Sequence, residues 1–332
     1  MALICAFVVA SCAGTRRFDG PLSVRNQHPA QSVVMQLEPD GARAVPADQT
    51  RLRMDLAYTS LFLAGSGNGN SFRMDGETAR FAWKALYGLG GGVEVGIEFP
   101  IGHASGGFLD DFVIDWHDTF GFPDQGRTNA PRDGFDVVAR RGGREVYRLD
   151  EERGTLLDIP IHVGWTPLPI TAERPFGVKL RAGFELPTGN EDRGWSSGGI
   201  DTAFGISTEA EFGDFAWHAH VAHTWTETPA PARRDGFRFR DVTRAGTGIE
   251  WALFDSASVL VQAEWETSTL RGLGFDRVAD PQLLLWTGVR WRWHPRIAFE
   301  VALGEDLLAD VSPDFSTYFS IVMDLGWTKP KR

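Results

Sequence analysis

The stretch Phe176-Gly177-Val178-Lys179-Leu180-Arg181-Ala182-Gly183-Phe184-Glu185-Leu186 decides the fold. Every second residue is apolar, and the residues between are glycine or charged. Successive side chains of a strand point to opposite faces, so this segment has one oily face and one wet face. One such strand suits any half-buried sheet. Between Leu52 and Trp327 the pattern recurs about twelve times, at residues 51–63, 76–88, 91–99, 155–167, 176–187, 198–212, 214–226, 241–254, 257–267, 282–293, 296–305 and 316–327. The connections alternate as well. Short ones of turn-forming composition fall at Gly90, Pro169 to Pro175, Gly213-Asp214, Asp255-Ser256 and His294-Pro295. Long ones span 64–75, 100–154, 188–197, 227–240, 268–281 and 306–315. An even number of half-apolar strands, joined by short and long connections in turn, predicts an all-β fold: a transmembrane antiparallel β-barrel of about twelve strands.

Fourteen is the alternative count. Val137-Val138-Ala139 and Val146-Tyr147-Arg148 flank Gly142-Gly143 and form a second type of hairpin signal. Each arm falls short of the 9–11 or so residues that a spanning strand needs, so the sequence favours twelve strands and a hairpin standing above the membrane.

Aromatic placement agrees with a barrel in lipid. Parity puts Trp83, Trp165, Trp217, Trp225, Trp251, Trp265, Trp291, Trp293 and Trp327 on the apolar face. Trp217, Trp251, Trp291 and Trp327 fall near the short-turn end, and Trp225 and Trp265 near the long-loop end. Two aromatic girdles around an apolar band of about 25 Å are expected of such barrels. A soluble barrel would carry its aromatics inside and its charges outside.

Composition narrows the location. The chain has 332 residues, 38 of them glycine, and a formal net charge of −11. No run of eighteen apolar residues is present, so no helix is expected to span a bilayer. The acidic balance argues against nucleic acid as a partner and against a basic membrane-surface patch. Cys5 and Cys12 are the only cysteines, so the body has no disulfide framework. Residues 1–13 read as a leader, with Ala2 to Ala10 as its apolar stretch. Two processing routes stay open: cleavage as a signal peptide, or a lipoprotein box that leaves Cys12 lipidated. Residues 14–50 are then a polar periplasmic or plug segment with one apolar run, Val33-Val34-Met35, residues 51–327 the barrel, and 328–332 a periplasmic tail. The expected location is the outer membrane of a Gram-negative bacterium. Expected partners are outer-membrane lipid and lipopolysaccharide, the barrel assembly machinery and a small solute.

Gly20-Pro21-Leu22-Ser23-Val24-Arg25-Asn26-Gln27-His28-Pro29 is followed by Ser105-Gly106-Gly107-Phe108-Leu109-Asp110-Asp111-Phe112, Phe120-Gly121 and Arg127. This set resembles a family of uncharacterised Gram-negative outer-membrane barrel proteins, defined as a domain of unknown function. The resemblance covers most of the mature chain and implies an outer-membrane barrel without naming a substrate. Phe319, Ile321, Met323, Leu325 and Trp327 also resemble the C-terminal assembly signal of bacterial outer-membrane proteins, although Thr328 to Arg332 extend beyond it.

Inward parity assigns Arg80, Lys84, Glu94, Lys179, Arg181, Glu185, His218, His220, Arg244, Glu250, Gln262, Glu264, Arg290, Arg292 and Glu300 to the lumen, with Glu98, Asp158, His162, Asp201, Glu209, Glu266 and Asp324 beside them. Buried charges of this density must be hydrated or paired, so a water-filled path and a closed ion-pair network are both open readings. In loop 100–154, Phe108, Leu109, Phe112, Val113, Trp116 and Phe120 recur at helical spacing. That helix would constrict the lumen, cover the mouth or lie on the outer loops; the first two make the loop a gate together with the N-terminal segment. Arg25 and Arg43 are expected to pair with lumen carboxylates such as Glu264 or Glu300.

The function expected is passive or gated passage of a small solute, with no cofactor and no metal. A lipid hydrolase is the alternative. His103 and Ser105 form an H-x-S pair on the lipid-facing parity set by Val95, Ile97 and Phe99, and a histidine there would serve as general base to the serine. A closed structural or adhesion barrel is the third reading. His218, His220 and His162 share the inward side but lack a metal-site spacing, and no phosphate loop or dinucleotide fingerprint is present.

Overall fold

The protein is described by a computed structural model over residues 18–121, 126–307 and 313–326. Its strands are β1 (Thr50–Gly67), β2 (Asn70–Gly90), β3 (Val93–Ser105), β4 (Val137–Arg141), β5 (Arg144–Leu149), β6 (Glu152–Leu156), β7 (Ile159–Leu168), β8 (Phe176–Leu186), β9 (Asp201–Phe212), β10 (Phe215–Trp225), β11 (Val242–Phe254), β12 (Ala257–Glu266), β13 (Gln282–His294), β14 (Ile297–Asp306) and β15 (Phe315–Leu325). Twelve of them, all but β4, β5 and β6, pair antiparallel in chain order. The register from Thr50↔Leu325 to Ser60↔Phe315 joins β1 to β15 and closes the barrel. Closure satisfies every edge, which open strands in an apolar medium cannot do.

Facing follows parity. On β12, Val259 and Val261 point outward while Leu260, Gln262 and Glu264 point inward and are buried. Trp83, Trp165, Trp217, Trp225, Trp251, Trp291 and Trp293 are exposed on the outer face, and Trp265 is half-buried there. At the short-turn end, Phe215 stacks between Phe212 and Trp251, and Trp291 stacks on Phe299. Trp327, Cys12, the leader and the C-terminal tail lie outside the described residues.

Three features depart from expectation. Residues 64–75 are a hairpin rather than a long loop: β1 and β2 stay paired up to Gly67↔Asn70. Asn68 (φ 54°) and Gly69 (φ 76°) make the turn. Two central residues with positive φ match strand twist, and Asn-Gly supplies them at little steric cost. The strand expected at 155–167 is broken at Leu157-Asp158 into β6 and β7. There Leu157 N–H donates to the Pro100 carbonyl at 3.0 Å, and Asp158 turns inward to accept Gly189 N–H and Ser196 Oγ–H at 2.8 Å each. Pro100 and Pro160 have no N–H to give, so the ladder between β3 and β7 stops at Ile97↔Ile161.

The third departure is the helix of the long loop, α2 (Asp110–Phe120), numbered after the four-residue α1 (Pro29–Ser32). It neither enters the lumen nor covers its mouth. It lies on the outer face at the loop end, where Phe112 meets Phe315 edge-on at 5.4 Å and Trp116 Nε1 donates to Glu305 at 2.7 Å. Glu77 anchors its start by accepting the Phe108 and Leu109 N–H groups. The β4–β5 hairpin does stand beyond the barrel wall, with β4 extending β2 over Asn70–Arg73.

Val261 is 44% exposed on the outer face, and Gln262 is buried inside. Val261→Arg is expected to block assembly in lipid, at roughly 2–4 kcal/mol near the bilayer midplane. Gln262→Arg should leave the barrel assembled, because Glu264 and Glu266 share its face. Heat-dependent gel mobility of refolded protein measures both, and the opposite order would mean that the facing is shifted by one residue.

Candidate functional site: the barrel interior

Strand parity supplies a polar inner wall, and the chain fills it with its own N-terminal segment. Residues 18–46 are almost wholly buried. The segment begins at the short-turn end, where Asp19 pairs with Arg292 and lies 3.6 Å from Arg51. It runs along β11–β13 to α1 near the loop end and returns along β8–β10. It leaves beside Gly88, where Asp48 N–H donates to the Gly88 carbonyl at 2.9 Å, and enters β1.

A segment with so much Pro, Gly and Gln makes little regular structure, so its backbone groups need partners from the wall. Gln262 brackets Leu22, accepting its N–H at 2.9 Å and donating to its carbonyl at 3.2 Å. Asp201 accepts Met35 N–H at 3.0 Å, Glu209 accepts Ala42 N–H at 3.0 Å, and Glu94 accepts Val45 N–H at 2.7 Å. Arg290 donates to the Gly20 carbonyl at 2.9 Å while pairing with Glu250 at 2.8 Å and Glu300 at 2.7 Å. Near the apex, Asn26 and Gln31 donate to Glu266 at 2.6 and 2.7 Å.

Apolar side chains of the segment sit over small residues of the wall. A Cβ on Gly183 would come within 2.5 Å of Met35, and one on Gly288 within 2.9 Å of Leu22. Leu37 and Met35 pack on Ala203 and Ala222, and Leu22 and Val24 on Leu260, Trp286 and Ala302. Inward parity of polar residues does not reveal these sockets. The signal that does is the inward run of glycine and alanine on strands that are otherwise charged inside.

The loop end is covered. Val137, Ala139, Val146, Tyr147 and Leu149 of the β4–β5 hairpin join Trp195, Phe237, Phe239, Leu270 and Leu273 in one buried cluster with Ala30, Val33 and Val34 of the N-terminal segment. Burial there pushes the Tyr147 phenol well above its usual range, and its hydroxyl donates to the Gly194 carbonyl at 3.2 Å. Glu145, on the exposed side of the hairpin, is held below the usual carboxylate range by its hydrogen bond from Arg148. So loop 100–154 divides its work: the hairpin roofs the mouth and α2 stays outside.

Fourteen of the fifteen residues assigned to the interior by parity are buried, and Arg292 is half-buried and pairs with Asp19. Arg80 pairs with Glu98, Lys179 with Glu94 at 2.8 Å, Arg244 with Glu266, and His220 lies 3.1 Å from Glu264. His218 and Glu185 are buried, and no metal-holding cluster is found among the described residues. Arg43 does pair with inward carboxylates, though with Glu209 and Glu211 rather than Glu264 or Glu300, and Arg25 takes a backbone partner, the Ser32 carbonyl at 3.2 Å. Glu264 and Glu300 are already engaged by His220 and by Arg53 and Arg290. His103 and Ser105 do lie on the outer face of β3, but among the described residues no hydrogen bond joins them and no carboxylate orients His103.

Voids lie inside, among the described residues, where the segment meets the wall. The larger, about 80 Å³, is bounded by Arg51, Arg53, Lys84, Glu98, Lys179 and Arg181 on the wall and by Asp19, Glu38 and Asp40 on the segment. A smaller one, about 10 Å³, lies between Arg25, Gln27, Asp55, Arg80 and Tyr318. Ser23, Glu38 and Lys84 border both.

The sequence profile of one protein family, described as a protein of unknown function (DUF3187), matches residues 1–324. The chain belongs to the DUF3187 family. No curated protein matches it in sequence. Among solved structures, this DUF3187 protein is similar to an outer membrane channel from Pseudomonas putida F1, at 11% identity and a TM-score of 0.56 over 87% of this chain and 100% of the channel. The NanC porin aligns at 9% identity and a TM-score of 0.45, covering 81% of this chain and 98% of the porin. The first likeness establishes the closed barrel of an outer-membrane channel as the fold.

Arg290 joins two wall carboxylates to the backbone of the segment. Arg290→Ala would leave the buried Glu250 without a cation and Glu300 with Arg53 alone, at about 3–5 kcal/mol for a broken buried pair. Denaturant titration of the detergent-folded protein, followed by tryptophan fluorescence, should show an earlier unfolding midpoint. An unchanged midpoint would mean that water replaces the guanidinium at no cost.

Proposed function

We propose that this protein is an outer-membrane barrel of a Gram-negative bacterium through which a small solute passes under the control of an internal plug, the N-terminal segment. In this reading the short turns face the periplasm and the long loops the exterior. Lipid and lipopolysaccharide surround the outer face, and the barrel assembly machinery inserts the chain. The leader at residues 1–13 directs export, whether Cys12 is lipidated or removed.

The observation that carries the reading is how the segment is held. Its wall contacts are mostly hydrogen bonds and ion pairs at Gln262, Asp201, Glu209, Glu94 and Arg290, which water can replace when the segment moves. Apolar burial adds to these contacts at the sockets for Phe18, Leu22, Val24, Met35 and Leu37 and at the apex, between stretches whose backbone is held by polar wall groups. The likeness to an outer membrane channel supports the barrel half of the proposal.

A closed structural barrel is the competing reading, favoured by the roof of apolar side chains at the loop end. Deleting residues 20–46 separates the two. The deletion protein should keep its heat-dependent gel shift, and its single-channel conductance in planar bilayers should exceed that of the intact chain. A folded deletion protein that does not conduct would establish the closed barrel instead.

A further inference from the structure

We infer that the plug is an internal stand-in for an anionic solute, and that the solute this barrel admits is a small di- or tricarboxylate that displaces Glu38 and Asp40 from the wall. The inference rests on the passage reading above and specifies its cargo.

The plug's charged groups are matched one by one to the wall groups they face. Its three described carboxylates in the lower half of the lumen all meet cations of the wall: Asp19 meets Arg292, Glu38 meets Lys84, and Asp40 meets Lys179 at 2.9 Å and Arg181 at 3.4 Å. To the acidic groups of β9, the strand next to the one that carries Lys179 and Arg181, the plug offers backbone N–H groups at Asp201 and Glu209 and its Arg43 at Glu211. A segment that merely filled space would need no such order. A segment that occupies a carboxylate-recognising surface would have it, because charge-assisted bonds to ammonium and guanidinium groups are the strong ones.

The voids lie where that surface is. The 80 Å³ cavity runs between the plug's carboxylates and the cations facing them. It is parted from the smaller void above by Ser23, Glu38 and Lys84, the residues common to both. Ser23 Oγ–H donates to Glu38, and Lys84 lies 3.4 Å from that hydroxyl, so the Glu38 carboxylate is the partition. Withdrawing it joins the two spaces. Both partners of Arg181, the Glu38 carbonyl and Asp40, belong to the plug, so Arg181 is left unpaired in the opened path beside Lys179 and Lys84. A buried guanidinium without a partner is costly, and an incoming carboxylate relieves that cost. Two or three carboxylates on a short carbon frame reproduce what Glu38 and Asp40 present together.

The test uses the full-length chain in planar bilayers, with citrate as the probe and glucose as the uncharged control. Citrate on the short-turn side should raise the opening frequency of the wild-type barrel severalfold, and glucose should not. The Glu38→Gln, Asp40→Asn double variant should open without citrate and pass chloride in preference to potassium under a salt gradient. Arg181→Gln should abolish the response to citrate while keeping the heat-dependent gel shift. Should the double variant fail to fold, the citrate response of wild type against Arg181→Gln decides alone. A barrel that opens but prefers potassium, or ignores citrate, overturns the anion inference and leaves passage standing. A barrel that never conducts, even after deletion of residues 20–46, overturns both.

Discussion

Every backbone N–H and C=O in hydrocarbon must find a partner within the protein, and this constraint shapes the whole structure. It forces twelve strands to pair in a ring, and β1 must meet β15 across nearly the full length of the chain. Once the ring is closed, strand parity does the rest. Apolar side chains face outward, and the charged residues left over face a narrow interior where they must pair or be wetted.

The same accounting governs the N-terminal segment. It carries a run of backbone groups into the lumen without a sheet to serve them, and the wall side chains take the place of one. Gln262, Asp201, Glu209, Glu94 and Arg290 each hold a backbone group of the segment. The interior is thus crowded with charge and densely paired, with small voids beside Glu38 and Lys84. Polar attachment of this kind is stable while every partner is present and weak once a few are exchanged for water or solute.

Local chemistry explains the exceptions to regular parity. Glu77 and Glu305 carry carboxylates on the outer face, where hydrocarbon would be hostile to them. Both are at the loop end and both are covered by the α2 segment, through Phe108 and Leu109 N–H and through Trp116. The helix therefore shields outward polar groups, and its own Phe108, Phe112 and Phe120 continue the aromatic rim. Pro100 and Pro160 stand where the β3–β7 ladder stops, because neither can donate to it.

The sequence by itself determined the strand count, the closure, the two ends of the barrel and the facing of residues such as Val261 and Gln262. Alternation of period two is a local property, and an alternating strand has one way to place its apolar face in lipid. It also marked Val33-Val34-Met35 as an apolar run that a linker would not need. The tertiary structure alone decided what meets what inside. Gln262 holds Leu22 across 240 positions of chain, and Arg43 selects Glu211 rather than Glu264. Those choices depend on the path of an irregular segment through a confined space, and no periodicity records that path. The course of α2 was equally hidden. Its amphipathic pattern is the same whether its apolar face meets the lumen, the loops or the outer wall, and only Glu77, Glu305 and Phe315, waiting on the outer face, settle which.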